Sequence, residues 1–292
     1  MEIAEVNGVE LEYEVVGAGE PVLLISPILP DGFLPVMTES SLADRYQLIR
    51  YHKRGWVGST HTAGPVPVAD HAVDAAALLD YFGLPSAHVA GHSSGAAVAA
   101  QLAVDHPGRV HTLVLLELSL LSVPAGEAFL RQAGPAFEAY ATGDHEGAIA
   151  RFLGVVGGID PAAVRTVLDD LLPGAFAQSV KDADTLFGVE LPGLGEWGFG
   201  AEQAAAIQCP VLSVLGSGTQ PLWVDVAAFL RSSLPNVEEC TIEGVGHLLH
   251  IERSEPVAQA IASFLGRHPI TDRVTSHQQS NTTKETQCHS SK

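Results

Sequence analysis

The chain has 292 residues, 46% hydrophobic and 17% charged, a composition that supplies a sizeable core and excludes wholesale disorder. Its 15 basic and 34 acidic residues give a formal net charge of −19, so nucleic acid and anionic membrane surfaces are poor partners. Three cysteines, Cys209, Cys240 and Cys288, lie far apart without a zinc-knuckle or disulfide pattern, which points to a reducing compartment.

The opening MEIAEVNGVELEYEVVG is acidic and alternating, without the basic start and apolar core of a leader peptide. No run approaches the roughly 18 apolar residues of a membrane span, so a soluble, cytoplasmic protein is expected. Residues 9–16 (VELEYEVV) alternate apolar and acidic side chains, the period of a half-exposed strand. After the Gly17-Ala18-Gly19 turn, residues 21–25 form a short continuous apolar run, as in a strand buried on both faces. Further strands are expected at 46–51, 87–90, 110–116, 211–215 and 238–242. Helices are expected at 68–82, 95–105, 223–234 and 255–267, and Gly83-Leu84-Pro85 stops the first of them. Strands alternating with helices predict an α/β fold, a mostly parallel sheet covered on both faces.

One segment breaks the alternation. Residues 121–205 carry helical patterns (127–140, 146–155, 161–171 and 175–187) without a convincing strand, and read as a helical cap inserted between two sheet strands. The expected organisation is a core α/β domain from 1–120 and 206–270, the cap between them, and a disordered polar tail at 271–292. His277, Cys288 and His289 in that tail are poor metal ligands, because a polar tail cannot preorganise them.

The strongest chemical signal is Gly91-His92-Ser93-Ser94-Gly95, a G-x-S-x-G directly between an expected strand and an expected helix. A serine at the tip of such a turn is held in strained backbone geometry, with flanking glycines leaving room for the turn. Its hydroxyl then projects above the sheet edge, and the Ser94 N–H points to the same space from the positive end of the helix. A serine nucleophile needs a base. His247, in Gly244-Val245-Gly246-His247-Leu248-Leu249-His250, follows the last strand on a glycine-flanked loop and is the candidate. His250 is the competitor, read as packing or capping the following helix, and His92 reads as packing or substrate-facing.

These features together resemble the α/β-hydrolase fold: an N-terminal strand pair, a strand leading into an oxyanion loop, the serine elbow, a helical cap and a histidine loop. The resemblance spans about residues 3–268. The stretch Tyr51-His52-Lys53-Arg54-Gly55-Trp56-Val57-Gly58-Ser59 is similar to the family's D-x-R-G-x-G-x-S loop, with His52 in place of the aspartate. Where the family has His-Gly before its oxyanion donor, this chain has Ser26-Pro27-Ile28. Proline has no N–H to give, so the resemblance assigns the oxyanion pair to the backbone N–H groups of Ile28 and Ser94.

A second departure concerns the acid. The family generally places an aspartate after the penultimate strand, whereas this chain reads Leu215-Gly216-Ser217-Gly218-Thr219-Gln220-Pro221 there, without a carboxylate. Some members, zearalenone-lactone hydrolases among them, carry the acid after the preceding strand, which here ends Leu115-Leu116-Glu117-Leu118. A charge at the tip of an apolar strand is costly without a partner, and a triad imidazole N–H is such a partner. Glu117 is therefore the favoured acid and Asp225 the alternative.

Ser93 excludes the dehalogenase and epoxide-hydrolase chemistries of this fold, which use a carboxylate nucleophile. The resemblance implies a serine hydrolase of a neutral, fairly apolar ester or lactone. A lyase or C–C bond hydrolase, and a ligand-binding protein or cofactorless oxygenase, are the other readings open to the fold. Cap aromatics (Phe129, Phe137, Tyr140, Phe152, Phe176, Phe187, Trp197) divide between cap core and pocket; Leu29, His92, Phe187, Trp197 and Leu248 are the candidate substrate contacts. Asp182, Asp184 and Glu190 read as a solvated helix face. Without a phosphate loop, dinucleotide fingerprint or metal-ligand spacing, no cofactor or metal is implied. The partner is a small molecule, and the oligomeric state stays open, a homodimer included.

Overall fold

Short apolar strands that fill both faces of a sheet must sit between two helical layers, and the computed structural model, which describes residues 1–270, has that arrangement. Strands β1 (Glu2–Val6), β2 (Val9–Val16), β3 (Glu20–Ile25), β4 (Tyr46–Tyr51), β5 (Ala87–His92), β6 (Val110–Leu116), β7 (Val211–Gly216) and β8 (Val237–Ile242) form one sheet. Their order is β1-β2-β4-β3-β5-β6-β7-β8. β2 runs antiparallel to β1 and β4, and every other pair is parallel. The expected α/β class is therefore correct, and the expected strand positions lie within two residues of the observed ones at each end. The expectations for residues 271–292, including His277, Cys288 and His289, lie outside the described residues.

The alternation along β3 has a direct structural meaning. Leu23 and Ile25 join the core on one face, and Val22 and Leu24 the core on the other. On β2, by contrast, Leu11 and Tyr13 are buried while Glu10 faces solvent, as its period-two pattern requires. No helix among the described residues is long and apolar enough to cross a membrane.

Between β6 and β7 the chain has helices joined by loops and no strand, with helices Gly126–Ala141, His145–Gly157, Val164–Leu171 and Ala175–Lys181 leading the segment. The single helix expected over 175–187 is broken. A π-helical turn spans Leu186–Glu190, closed by the Leu191 N–H on the Leu186 carbonyl, and Pro192 begins a new short helix. Proline is tolerated in that first turn, where its missing N–H has no partner to lose.

Register carries the consequence for function. Ile25 of β3 pairs with Gly91 of β5, Gly91 pairs with Leu115 of β6, and Leu116 pairs with Val214 of β7. The residues that leave the carboxyl ends of these strands, Ser93 and Glu117 among them, therefore emerge at one level of one sheet edge, where α/β folds bind ligands.

Candidate active site

Ser93 sits at φ 55°, ψ −121°, between β5 and the helix Ser94–Asp105. This is backbone that a side chain rarely adopts. Two hydrogen bonds stitch the strained residue to the neighbouring strand end: Ser93 N–H to the Leu116 carbonyl at 3.0 Å, and Ser119 N–H to the Ser93 carbonyl at 3.2 Å. The flanking glycines are sterically required. A Cβ on Gly95 would collide with the Ile25 carbonyl, and one on Gly91 with the Gly95 carbonyl. The elbow can thus press against β3, whose outgoing loop carries Ile28.

Glu117 is the second strained position at this edge, with φ 43°. Its side chain is buried and reaches three partners. Oε1 accepts the Gly216 N–H at 2.8 Å, and Oε2 accepts the Thr219 hydroxyl at 2.8 Å and lies 2.7 Å from His247 Nδ1. The turn after β7, which has no carboxylate of its own, supplies two donors that hold a carboxylate sent from β6. Burial pushes the Glu117 carboxyl up to about 7, with the Gly216 and Thr219 bonds pulling the other way. Burial also lowers the His247 imidazole, to about 3. Trp223 stacks on His247 with ring centroids 3.8 Å apart and an interplanar angle of 23°. That contact fixes the ring plane, and sequence reading missed it because Trp223 lies on a helix 24 residues away.

Asp225 is elsewhere. Its Oδ2 accepts the Ala125 N–H at 2.9 Å and so ties the start of the helical insertion to the helix Pro221–Ser233. His250 is buried against His92 (ring centroids 3.9 Å) and Phe33 (5.9 Å), matching the packing role expected of it. His92 lies between His250 and His247, and its Nε2 is 2.9 Å from the His247 carbonyl oxygen.

A pocket of about 400 Å³ opens over Ser93. Ile28 and Ser94 line it, and among the described residues neither backbone N–H has a hydrogen-bond acceptor. The walls are apolar: Phe129, Phe137 and Phe152 from the insertion, Leu191 and Trp197 beyond them, and Trp223 from the core. The polar lining is hydroxyl, from Ser93, Ser94, Ser119 and Ser122. Of the five candidate substrate contacts, Trp197 is on the wall. His92, Leu29, Phe187 and Leu248 are not among the residues that line this pocket. Phe187 is stacked on Tyr140 (4.8 Å) and edge-on to Phe152 (5.8 Å), supporting the wall from behind. Leu29 and Leu248 are buried in the core, and His92 is enclosed by the two histidines. Ser119 and Ser122 were missed because a serine in a loop carries no periodic signal.

The solvated face expected of Asp182, Asp184 and Glu190 is corrected at Asp182 and Glu190, which are buried, whereas Asp184 is exposed. Glu190 is buried in the π-helical turn, where Oε1 pairs with Lys53 Nζ at 2.5 Å and accepts the Ser94 hydroxyl, while Oε2 accepts the Trp56 indole N–H at 2.5 Å. Burial, the largest single influence, would raise this carboxyl, but the Lys53 and His71 charges and the hydrogen bonds from Lys53 and Ser94 together hold it below the ordinary carboxylate value. Asp182 is buried too, accepting from Gln178, and Asp184 accepts the Tyr140 hydroxyl. The Lys53–Glu190 pair joins the insertion to the serine elbow. Removing one partner strands a buried charge, so Glu190→Ala is expected to lower the unfolding free energy by about 3–5 kcal/mol in urea denaturation. The double variant Lys53→Met/Glu190→Leu is expected to lose less, because no charge is left unpaired. An equal or larger loss in the double variant would contradict this account.

His52 sits between two carboxylates. Its Nδ1 is 2.9 Å from Glu12 Oε2 and its Nε2 3.1 Å from Asp31 Oδ1, on the loop that carries Ile28. The His52 bond is the largest influence on Asp31. Together with Arg50, and against burial, it holds that carboxyl down at about 2. The loop therefore keeps an ionic anchor to β4.

A family model described as the alpha/beta hydrolase fold matches residues 32–254. Among curated proteins, the chain is 37% identical over 117 residues to the "Putative carbamate hydrolase RutD" of Azorhizobium caulinodans, covering 40% of this chain and 44% of that protein. The match thus spans less than half of that relative's length. Among solved structures, a thermophilic esterase from Thermogutta terrifontis superposes with a TM-score of 0.74 at 22% identity, covering 92% of this chain and 100% of that one. The enol-lactonase from Burkholderia xenovorans LB400 superposes with a TM-score of 0.70 at 19% identity, covering 91% and 100%. With the family model spanning most of the chain and the sheet order and serine elbow agreeing with it, this protein belongs to the alpha/beta hydrolase fold family.

Proposed function

We propose that the protein is a serine hydrolase that cleaves a neutral, fairly apolar carboxylic ester or lactone through an acyl-enzyme on Ser93. The observation that supports this reading most is the 2.7 Å bond between Glu117 and His247, formed at the sheet edge that also carries the strained Ser93. Ser93 Oγ attacks the substrate carbonyl carbon while His247 Nε2 takes the hydroxyl proton. Glu117 holds the ring through Nδ1–H and balances the imidazolium that forms. The Ile28 and Ser94 N–H groups receive the developing oxyanion. His247 then returns the proton to the leaving oxygen, and water releases the acyl group by the same steps in reverse order.

Residues 121–205 act as the cap, which sets the substrate. Its aromatic and aliphatic wall, with hydroxyls as the polar groups, favours an uncharged acyl chain over a charged metabolite. A carbamate, the class named for the curated relative, presents the same kind of carbonyl. The testing panel therefore contains esters, lactones and carbamates of graded acyl size. Turnover with an initial burst on p-nitrophenyl esters supports acyl transfer. Saturable binding without turnover across the panel would replace this reading with that of a ligand-binding protein.

The active form pairs the Glu117 carboxylate with a neutral His247. Acidification adds one proton to that pair, and base function is lost with it. Acylation is therefore expected to rise with pH along a single limb. His247→Ala removes the limb, and His250→Ala keeps it, as measured by the pH dependence of ester acylation. An inactive His250 variant beside an active His247 variant would reverse the assignment.

A further inference from the structure

The hydroxyl of Ser93 has one hydrogen-bond partner among the described residues, Ser119 Oγ at 3.0 Å. The contact is registered by the backbone, since the Ser119 N–H binds the Ser93 carbonyl. Ser119 is buried and lines the pocket. Resting on the hydrolase reading above, we propose that Ser119 is a further catalytic residue, a hydrogen-bond donor to the leaving oxygen of the substrate.

The sheet order carries the argument. β5 has β3 on one side and β6 on the other. Ile28, in the loop after β3, places its oxyanion donor on the first side. Glu117 and Ser119 follow β6 on the second, and Glu117 there holds His247. When Ser93 Oγ bonds to the carbonyl carbon, the carbonyl oxygen turns toward Ile28 and the acyl chain occupies the apolar pocket. The leaving oxygen must lie on the side from which His247 delivers its proton. That is also the side of the Ser119 hydroxyl.

The atoms balance without any other reactant. Ser93 loses its proton to His247 on attack, so the bond it shared with Ser119 in the free protein loses its donor or is redirected. The Ser119 O–H is then released to donate to the leaving oxygen as the carbon–oxygen bond breaks and negative charge builds there. His247 supplies the proton that ends on the departing alcohol, and Ser119 keeps its own. A donor aimed at developing charge matters most where the leaving group is a poor one, an alkoxide, and least where it is a stabilised phenolate.

The test compares Ser119→Ala with the wild-type protein on two esters of one acyl group, an alkyl ester and a p-nitrophenyl ester. Expected is a fall in kcat/KM of about 10- to 100-fold on the alkyl ester, the effect of losing a hydrogen bond to a charged group. On the p-nitrophenyl ester the fall is expected to stay within about threefold. Fluorophosphonate labelling of Ser93 is expected to proceed in the variant, because fluoride leaves without protonation, and this establishes that the elbow is folded. Equal losses on both esters, or no loss on the alkyl ester, would overturn the role of Ser119 while leaving the hydrolase reading intact. A wild-type protein that hydrolyses neither ester and takes no label would overturn both.

Discussion

Replacing Ser93 with alanine is expected to abolish labelling by a fluorophosphonate and to lower ester turnover by at least about 10³-fold, leaving only the contribution of binding and the oxyanion hole. The expectation follows from the position of the residue. Ser93 is held at φ 55° between a strand end and a helix start, and a Cβ at either flanking glycine would strike backbone. Backbone strain of this kind costs roughly 1–3 kcal/mol and persists where the surrounding structure enforces it. Ser93→Ala keeps the backbone and removes only the hydroxyl, so the variant remains folded and capable of binding substrate. Mass spectrometry of labelled wild-type protein is expected to place the adduct on Ser93. Labelling that survives in Ser93→Ala would remove the elbow serine from the mechanism.

The second large effect is expected at Glu117. Glu117→Gln keeps the shape and the acceptor for one backbone donor, but it removes the charge that orients His247 and offsets the imidazolium. In the Ser-His-Asp arrangement the corresponding change costs about 10⁴-fold in kcat, and a loss of that order with little change in KM is expected here. Asp225→Asn is expected to change turnover by only about a few-fold, because its Oδ2 accepts a backbone N–H from Ala125 and an amide oxygen can do the same. The pH profile separates the two further. Burial lowers the His247 imidazole, and Glu117→Gln removes the carboxylate 2.7 Å from Nδ1 whose charge favours the protonated ring. The acid limb of fluorophosphonate labelling is therefore expected to move down by about one to three pH units in Glu117→Gln. The opposite ranking of the two variants, both folded, would return the acid to the turn after β7.

The strand and helix pattern was legible because both periods are local. Alternation at 9–16 and continuous apolar runs at 21–25 and 110–116 reflect which faces are buried, and the structure bears them out at β2, β3 and β6. Glu117 was legible for a different reason. An acid at the end of an apolar strand demands a partner, and the empty turn at 216–220 left the imidazole without another acid. The π-helical turn at Leu186–Glu190 was not legible: a helical pattern runs over 175–187, and the contacts Glu190 makes with Lys53 and Ser94 belong to the folded chain.

From the sequence alone came the α/β class, the helical segment between two strands, and the candidate elbow, histidine and acid, because each is read from a local pattern or from the absence of one. Tertiary structure alone decided which side chains meet. The buried pair Lys53–Glu190 joins residues 137 positions apart, Trp223 stacks on His247, and Ser119 touches Ser93. It also decided which aromatics face the pocket: Phe137 and Phe152 line it while Phe187 braces them from behind. The physical reason is common to all of these. Periodicity records whether a side chain leaves water, and burial has no direction within the core. A specific contact depends on strand register and helix crossing, which are set by the whole fold.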